Sequence, residues 1–511
     1  MKSQSTSFSS VFSSAAVVSV GNFISRIVGL LRDVIIASLL GAGPVADALI
    51  VAFRIPNLLR KLFADGSLSS AVTAHITSLR ETEGDSSAAS FFRTCFLWTV
   101  GISLFLLMLA ELGSRFLTGV LAPGLTLSPD VFVHAEALLR VTLPYLFCVG
   151  CLALFSGVLH SRQRFVAPAL APLVLNCTLV CSAGIAWLFA FPVAETLCVA
   201  LVVGGGLQVA MQLVALRGES LWKGVWGLFN PSAAKLGKKI VPTVLSGAVF
   251  QLSVLLVTML ASFLPNGTIA KLYFADRLVQ FPLGLIGVAI GIAVLPALSS
   301  LAASNDKQKY GEVLSSAVQF TAFLSLPAAA GLFALAYPVL QIFFERGAFT
   351  ASDAASASAM LQAFSIGLPA FACTRPLLSG FYARQKSRVP LLAGGGNLVV
   401  TAVLGGLFMQ LWSGAGLALA VSVGGWVNFM ILYYLMHKDA LCFIPLNSWN
   451  GVYALLSIIV GVICWWLLPY GLISILFIPV LAMGYVGGLY VCGSPDARLL
   501  LKLACGSRCN H

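Results

Sequence analysis

Ser25-Arg26-Ile27-Val28-Gly29-Leu30-Leu31-Arg32-Asp33 and, shortly after it, Ala46-Asp47-Ala48-Leu49-Ile50-Val51-Ala52-Phe53-Arg54-Ile55-Pro56-Asn57-Leu58-Leu59-Arg60-Lys61-Leu62-Phe63-Ala64-Asp65 decide the reading of this chain. Eight ionic side chains (Arg26, Arg32, Asp33, Asp47, Arg54, Arg60, Lys61 and Asp65) stand in its first two apolar segments. A charge near a bilayer centre costs about 2.5–3.5 kcal/mol on insertion scales. Segments that carry so many charges line a wet cavity for a charged passenger, provided the rest of the chain is a membrane protein.

It reads as one. Of 511 residues, 59% are hydrophobic and 9% charged, against roughly 25% charged in soluble domains. The runs 165–194, 196–216, 240–270, 278–305, 313–344 and 354–374 hold no Asp, Glu, Lys or Arg. The runs 389–437 and 440–495 are each long enough for two helices, broken at Trp412-Ser413-Gly414-Ala415-Gly416 and at Leu468-Pro469-Tyr470-Gly471. Adding segments near 12–40, 46–78, 94–114 and 136–160 predicts an all-α polytopic protein of about 14 spanning helices. With the N-terminus inside, inner loops and the tail carry 18 Lys and Arg, and outer loops and helix ends carry 4. The positive-inside rule then puts both termini in the cytoplasm. The net charge of +12 is therefore topological, and no nucleic-acid partner is expected.

The N-terminus does not read as a cleaved signal, since only Lys2 precedes the apolar stretch. The 12 Cys are scattered; Cys148 and Cys151 fall inside a spanning run and read as buried thiols. Cys505, Cys509 and His511 read as part of a frayed tail. No metal or other cofactor is expected.

An internal repeat recurs at an offset of 222–229 residues. Ser156-Gly157, Arg162-Gln163 and Pro168 return as Ser379-Gly380, Arg384-Gln385 and Pro390, followed by Asn176 and Asn397 at nearly equal distance. Leu143-Pro144 matches Leu368-Pro369, and Ala46-Asp47-Ala48-Leu49 matches Ala275-Asp276-Arg277-Leu278. Repeats of six helices in one orientation are a transporter signature. The predicted division is an N-terminal lobe over 10–217, an inter-lobe linker over 218–238, a C-terminal lobe over 239–438, two extra helices over 439–494 and a tail over 495–511. The linker, with Trp222, Trp226 and Phe229, reads as an amphipathic surface helix. A plain basic loop is nearly as consistent.

Asp47, Arg54 and Lys61 are spaced by seven and Asp65 follows by four, which predicts one helical stripe. Arg26 and Asp33 are also seven apart, whereas the neighbours Arg32 and Asp33 are expected to point in different directions. Pro56 is expected to bend the second helix. Asp276 and Arg277 are the matching charges of the second half, and Arg375 stands alone in the tenth segment. Arg60 and Lys61 also fit snorkelling anchors, and Arg54–Asp47 or Arg26–Asp33 fit structural ion pairs. The count decides against a purely structural reading. Seven intramembrane cations against four anions leave +3, a charge that an anionic ligand neutralises. Arginine's permanently charged fork suits phosphate oxygens. His75, His134, His160 and His437 are dispersed and no acidic catalytic pair is evident, so a transporter is expected rather than an enzyme.

These motifs resemble the MurJ/MviN family, lipid II flippases of the MOP exporter superfamily. The resemblance rests on Ser25–Gly29 with Arg32-Asp33, on Gly41-Ala42-Gly43, on Ala46-Asp47-Ala48 and on Val51–Arg60. Phe63-Ala64-Asp65-Gly66 is similar to the family's Phe-Ala-Glu-Gly, and Phe274–Leu278 with Phe281-Pro282 to its eighth-helix motif. The likeness runs from about residue 15 to 440. It implies a two-lobed fourteen-helix fold with a central cavity, in the bacterial inner membrane. Alternating access would carry the undecaprenyl-diphosphate disaccharide-peptide to the outer leaflet. Arg26, Arg32, Arg60 and Arg277 would engage the diphosphate. Asp33, Asp47, Arg54, Lys61, Asp65, Asp276 and Arg375 would form a gating and ion-pair network, and the last two helices would line a groove for the lipid tail. Membrane lipid is a partner, and the resemblance leaves room for cell-wall synthesis proteins. Gln280 stands where some members have Glu, and 240–270 and 389–411 lack the carboxylates of a sodium site described in some members. Alternative readings are an exporter of another polyprenyl-diphosphate-linked polysaccharide precursor and a non-transporting membrane scaffold.

Overall fold

A computed structural model describes residues 21, 23–64, 67–386, 388–439, 448–468, 478–491 and 493–505. Asp65 and the residues beyond Cys505 lie outside this set. Every regular element among the described residues is helical. The first is α1 over residues 23–40, then α2 (Pro44–Leu59), a π-helical turn (Arg60–Ala64), α3 (Ser67–Glu83), α4 (Asp85–Leu112) and α5 (Ser114–Leu121). There follow α6 (Pro129–Thr142), α7 (Tyr145–Ser161), α8 (Val166–Leu188), α9 (Val193–Ala215), α10 (Pro231–Ala261) and α11 (Thr268–Leu283). A second π turn (Gly284–Val288) leads to α12 (Ala289–Ala303), α13 (Lys307–Ala334), α14 (Ala336–Phe344) and α15 (Ala351–Ala383). The chain continues through α16 (Arg388–Lys438), α17 (Ser448–Trp466), α18 (Ile478–Val491) and α19 (Pro495–Cys505). Among the described residues, 8 helical stretches have the length and apolar character to cross a bilayer, and three shorter apolar helices accompany them.

The chain divides into one unit over Met1–Ala270 and another over Lys271–His511. The division differs from the predicted boundary, because α10 packs on α2, α3, α4 and α5 and so belongs with the first unit. The Ser262 hydroxyl, just past α10, accepts from the Gly124 amide at 2.8 Å and fixes that assignment.

The linker also departs from its predicted helical form. A single 3-10 turn at Ser220–Trp222 precedes irregular chain, and helix resumes at Pro231. Gly224 and Gly227 interrupt any helical register there, Gly224 at φ +108°. The Asn230 side chain then caps α10 by accepting from the amides of Ser232 and Ala233.

The repeat is visible in the backbone. Gln163 and Gln385 both adopt left-handed φ, 57° and 58°, in the turn after α7 and after α15. Each turn is clasped to the end of its lobe's last repeat helix. Arg162 meets Glu219 at 2.7 Å beyond α9, and Arg384 meets Asp439 at 2.8 Å beyond α16. The second helix of each half carries a proline and then a π turn: Pro56 before Arg60–Ala64, and Pro282 before Gly284–Val288. Proline has no N–H for the carbonyl four residues back. At Pro56 that carbonyl, Ala52 O, instead accepts from the Thr142 hydroxyl at 3.1 Å.

The predicted break inside 389–437 is present. Trp412 (φ −129°) and Ser413 (φ 51°, ψ −130°) are non-helical within α16. A Cβ on Gly416 would meet Phe408 O at 2.0 Å, so only glycine allows the two arms this approach. The first part of the tail forms α19, while Cys509 and His511, where fraying is expected, lie outside the described residues. Ala497 is buried and Leu500 packs with it against Phe323, Tyr453, Tyr485 and Leu489. Tyr453 donates to Asp496 at 2.7 Å and bonds Ser494 at 2.8 Å, which ties α19 to α17. Burial is the main influence on the Asp496 carboxyl and raises its pKa, with the Tyr453 hydrogen bond opposing.

Candidate functional site

In the first unit the candidate cations are organised around α1. Gly29 leaves room for α8, where Asn176 Nδ2 would stand 3.3 Å from a Cβ at that position. Asn176 donates to Ser25 O at 3.1 Å and to Ser25 Oγ at 3.3 Å, and its Oδ1 accepts from Arg32 Nη1 at 3.0 Å. The other edge of the guanidinium lies on its neighbour: Arg32 Nη2 stands 2.6 Å and Nε 3.0 Å from Asp33 Oδ1. This corrects the expectation that adjacent Arg32 and Asp33 diverge. The arginine is long enough to fold back along the helix, and Asn176 holds it there. Asp33 is 1% exposed and the Arg32 side chain 12%. Arg26, one and a half turns earlier, is exposed.

On α2, Asp47 is buried, and both its oxygens face backbone amides. Oδ2 accepts from Gly267 N at 2.6 Å and Oδ1 from Ala270 N at 2.8 Å. These amides open α11, where unsatisfied N–H groups and the helix dipole favour an anion. Gly267, at φ +87°, lets the chain pass so near α2 that a Cβ would strike Ala42 O at 2.0 Å. Arg54 and Arg60 are partly buried and Lys61 is exposed. Arg60 and Lys61 fall in the π turn, whose wider pitch breaks the 3.6-residue register. The predicted stripe Asp47–Arg54–Lys61–Asp65 is therefore not one continuous face: its first member is sealed from solvent and its third follows a change of register. Asp65 itself lies outside the described residues.

In the second unit, Arg277 donates from Nη2 to the Tyr273 hydroxyl at 2.7 Å, one turn back on α11. Asp276 accepts from Gln280 Nε2 at 3.4 Å, a contact that a carboxylate at 280 would turn into repulsion. Arg375 is exposed on α15, where its backbone lies against Gly291 of α12, 3.3 Å from a Cβ built there.

Sequence reasoning missed three partners: Asn176, Tyr273 and the Gly267–Ala270 amides. Asn176 alone gave a signal, as a carboxamide in the charge-free run 165–194 and a member of the repeat. Among the described residues no group of His, Cys, Asp and Glu has metal-site geometry.

Fold and composition together define a polytopic helical membrane protein. A solved structure described as a lipid II flippase in an inward-closed conformation superposes with a TM-score of 0.79 at 24% identity, covering 93% of this chain and 99% of its own. An inward-facing multidrug-resistance MATE transporter of the MOP superfamily superposes at 0.68 and 14% identity, covering 81% and 95%. A family model described as "Lipid II flippase MurJ" matches residues 36–483. The curated "Probable lipid II flippase MurJ" of Vibrio cholerae is 33% identical over 436 residues, 83% of this chain and 82% of the relative. The Burkholderia cenocepacia "Lipid II flippase MurJ" is 31% identical over 451 residues, 86% of each chain. The chain belongs to the MurJ lipid II flippase family, a family of transporters.

Proposed function

We propose that this protein flips the lipid-linked peptidoglycan precursor, a polyprenyl-diphosphate disaccharide-peptide, from the inner to the outer leaflet of the bacterial inner membrane. The observation that carries the reading is Arg32, a cation within the first helix whose fork is held at both edges, by Asp33 and by Asn176. A prepositioned guanidinium loses little entropy on meeting a diphosphate and offers it paired donors. Arg26, Arg60 and Arg277 are the further proposed diphosphate ligands. Asp33 competes with the ligand for Arg32, so substrate charge and protein carboxylate exchange places during the cycle. Asp47, Arg54, Lys61, Asp65, Asp276 and Arg375 belong to the proposed gating network.

The transport mode we propose is alternating access. A ligand shifts the state only by its differential affinity, which the diphosphate supplies by favouring the state in which the arginines converge. The spanning count is proposed as fourteen, with both termini cytoplasmic. Binding of the purified precursor to the Arg32→Ala, Arg277→Ala double variant tests the site. The reading expects affinity to fall at least tenfold, with binding of a neutral lipid of the same tail unchanged; wild-type affinity for the precursor would refute it.

A further inference from the structure

Residues 219–230, between α9 and α10, form a strap across the beginning of α4 whose polarity is inverted. Its backbone carbonyls point into the protein; Leu221 and Trp222 turn inward onto Phe92, Phe96 and Phe155, while Val225, Leu228 and Phe229 beyond them point out. Arg93 is 6% exposed, and its guanidinium donates to Leu221 O at 3.2 Å, to Val225 O at 3.0 Å and to Lys223 O. Thr94 donates to Gly227 O at 2.8 Å and the Trp98 indole to Leu228 O at 2.9 Å. Gly224, at φ +108°, passes over the guanidinium so near that a Cβ would stand 3.1 Å from Arg93 Nη2. On the other side Val225 is 86%, Leu228 71% and Phe229 81% exposed.

A loop in water has no need of this arrangement, because water satisfies its carbonyls and its apolar groups turn inward. Lipid reverses both demands: unsatisfied carbonyls become costly and apolar groups are soluble. The level along α4 agrees. Its 28 residues measure about 42 Å at about 1.5 Å per residue. A hydrocarbon layer takes about 20 residues, which counted back from Leu112 begins at Arg93. The rest of α4 continues the same surface, with Ile102, Leu104 and Phe105 exposed. Lys223 and Arg217, both exposed, flank the apolar group as headgroup-level cations do.

We propose that the strap is a membrane-embedded wedge. Val225, Trp226, Leu228 and Phe229 lie in the lipid of the adjoining leaflet, while Arg93, Thr94 and Trp98 replace water as donors to its carbonyls. The partner is phospholipid itself.

The test places the photoreactive residue p-benzoylphenylalanine, one site at a time, at Val225, Leu228, Phe229 and, as a water-exposed control, Glu81. Each full-length chain is reconstituted in vesicles of phosphatidylethanolamine and phosphatidylglycerol, irradiated and weighed intact. Phospholipid adducts at 225, 228 and 229 are expected at five times the yield at 81 or more. Yields no higher than at 81, or crosslinks to protein in their place, would overturn the proposal. In an Arg93→Gln background the lipid adduct at 229 should fall several-fold while that at Phe105 stays constant. Equal yields at 229 would overturn the role given to Arg93, and a joint fall at 105 is answered by the wild-type series, which decides alone.

Discussion

The Asp47 carboxylate closes the start of α11, with Oδ1 2.8 Å from the Ala270 amide nitrogen. Its other oxygen stands 2.6 Å from the Gly267 amide. A residue read from sequence as a charge on a wet face is a buried helix cap. Asp47→Ala strands two buried amides and should cost about 2–6 kcal/mol, at about 1–3 kcal/mol for each group left unsatisfied. Asp47→Asn keeps one acceptor and should cost about half as much. Thermal unfolding of the purified protein measures both, and an alanine variant as stable as wild type would contradict the cap.

Arg32 meets its neighbours through three separate nitrogen–oxygen contacts, a geometry that an ammonium cannot copy. Arg32→Lys keeps the charge and should still weaken precursor binding about tenfold, or about 1.4 kcal/mol. Asn176→Leu keeps the volume and releases one edge of the guanidinium, so it should produce a loss of similar size with wild-type expression. If the lysine variant binds as wild type does, net charge rather than the fork is what the ligand reads.

Ser413 adopts φ 51° and ψ −130°, a region favourable to glycine and strained for other residues. Ser413→Gly should stabilise the protein by about 1 kcal/mol. Gly416→Ala, three residues on, should destabilise it, since the new methyl would overlap Phe408 O. Denaturation midpoints that order these variants the other way would show that the turn is built differently.

The Asp439 carboxyl is held below the usual carboxylate range, first by the Lys386 ammonium and then by the Arg384 guanidinium. A folded-state pKa below the unfolded value gives stability that is complete above the unfolded carboxylate range. That stability is lost as pH falls through the lower folded value. Asp439→Asn should therefore be less stable than wild type at neutral pH, and the two should converge in acid. Unfolding curves whose separation is the same at neutral and strongly acidic pH would contradict the assignment.

The fold was legible in sequence wherever composition alone decides it. Charge-free runs mark spanning helices, and Trp412–Gly416 marks a turn because no helix accommodates that glycine-rich break in a long apolar run. The repeat was legible too, and the matching φ of Gln163 and Gln385 gives it a backbone meaning. Pairing was less legible. Arg32 and Asp33 meet because Asn176, 144 positions away in sequence, fixes the guanidinium, and local spacing carries no trace of that. The π turn at Arg60–Ala64 broke a stripe that a uniform period of 3.6 implied. The linker failed as a helix for a related reason. Its donors, Arg93, Thr94 and Trp98, stand more than 120 positions earlier in the chain and stabilise an extended path instead.

The most direct test of the central claim is translocation in reconstituted vesicles. A polyprenyl-diphosphate disaccharide-peptide and a neutral lipid with the same tail are each supplied to one leaflet, and their appearance in the other is timed. Wild-type protein should move the diphosphate lipid and leave the neutral one, and Arg32→Ala combined with Arg277→Ala should abolish that movement while leaving the protein folded. Transport of both lipids at equal rates, or a double variant that flips the precursor at the wild-type rate, would contradict the account.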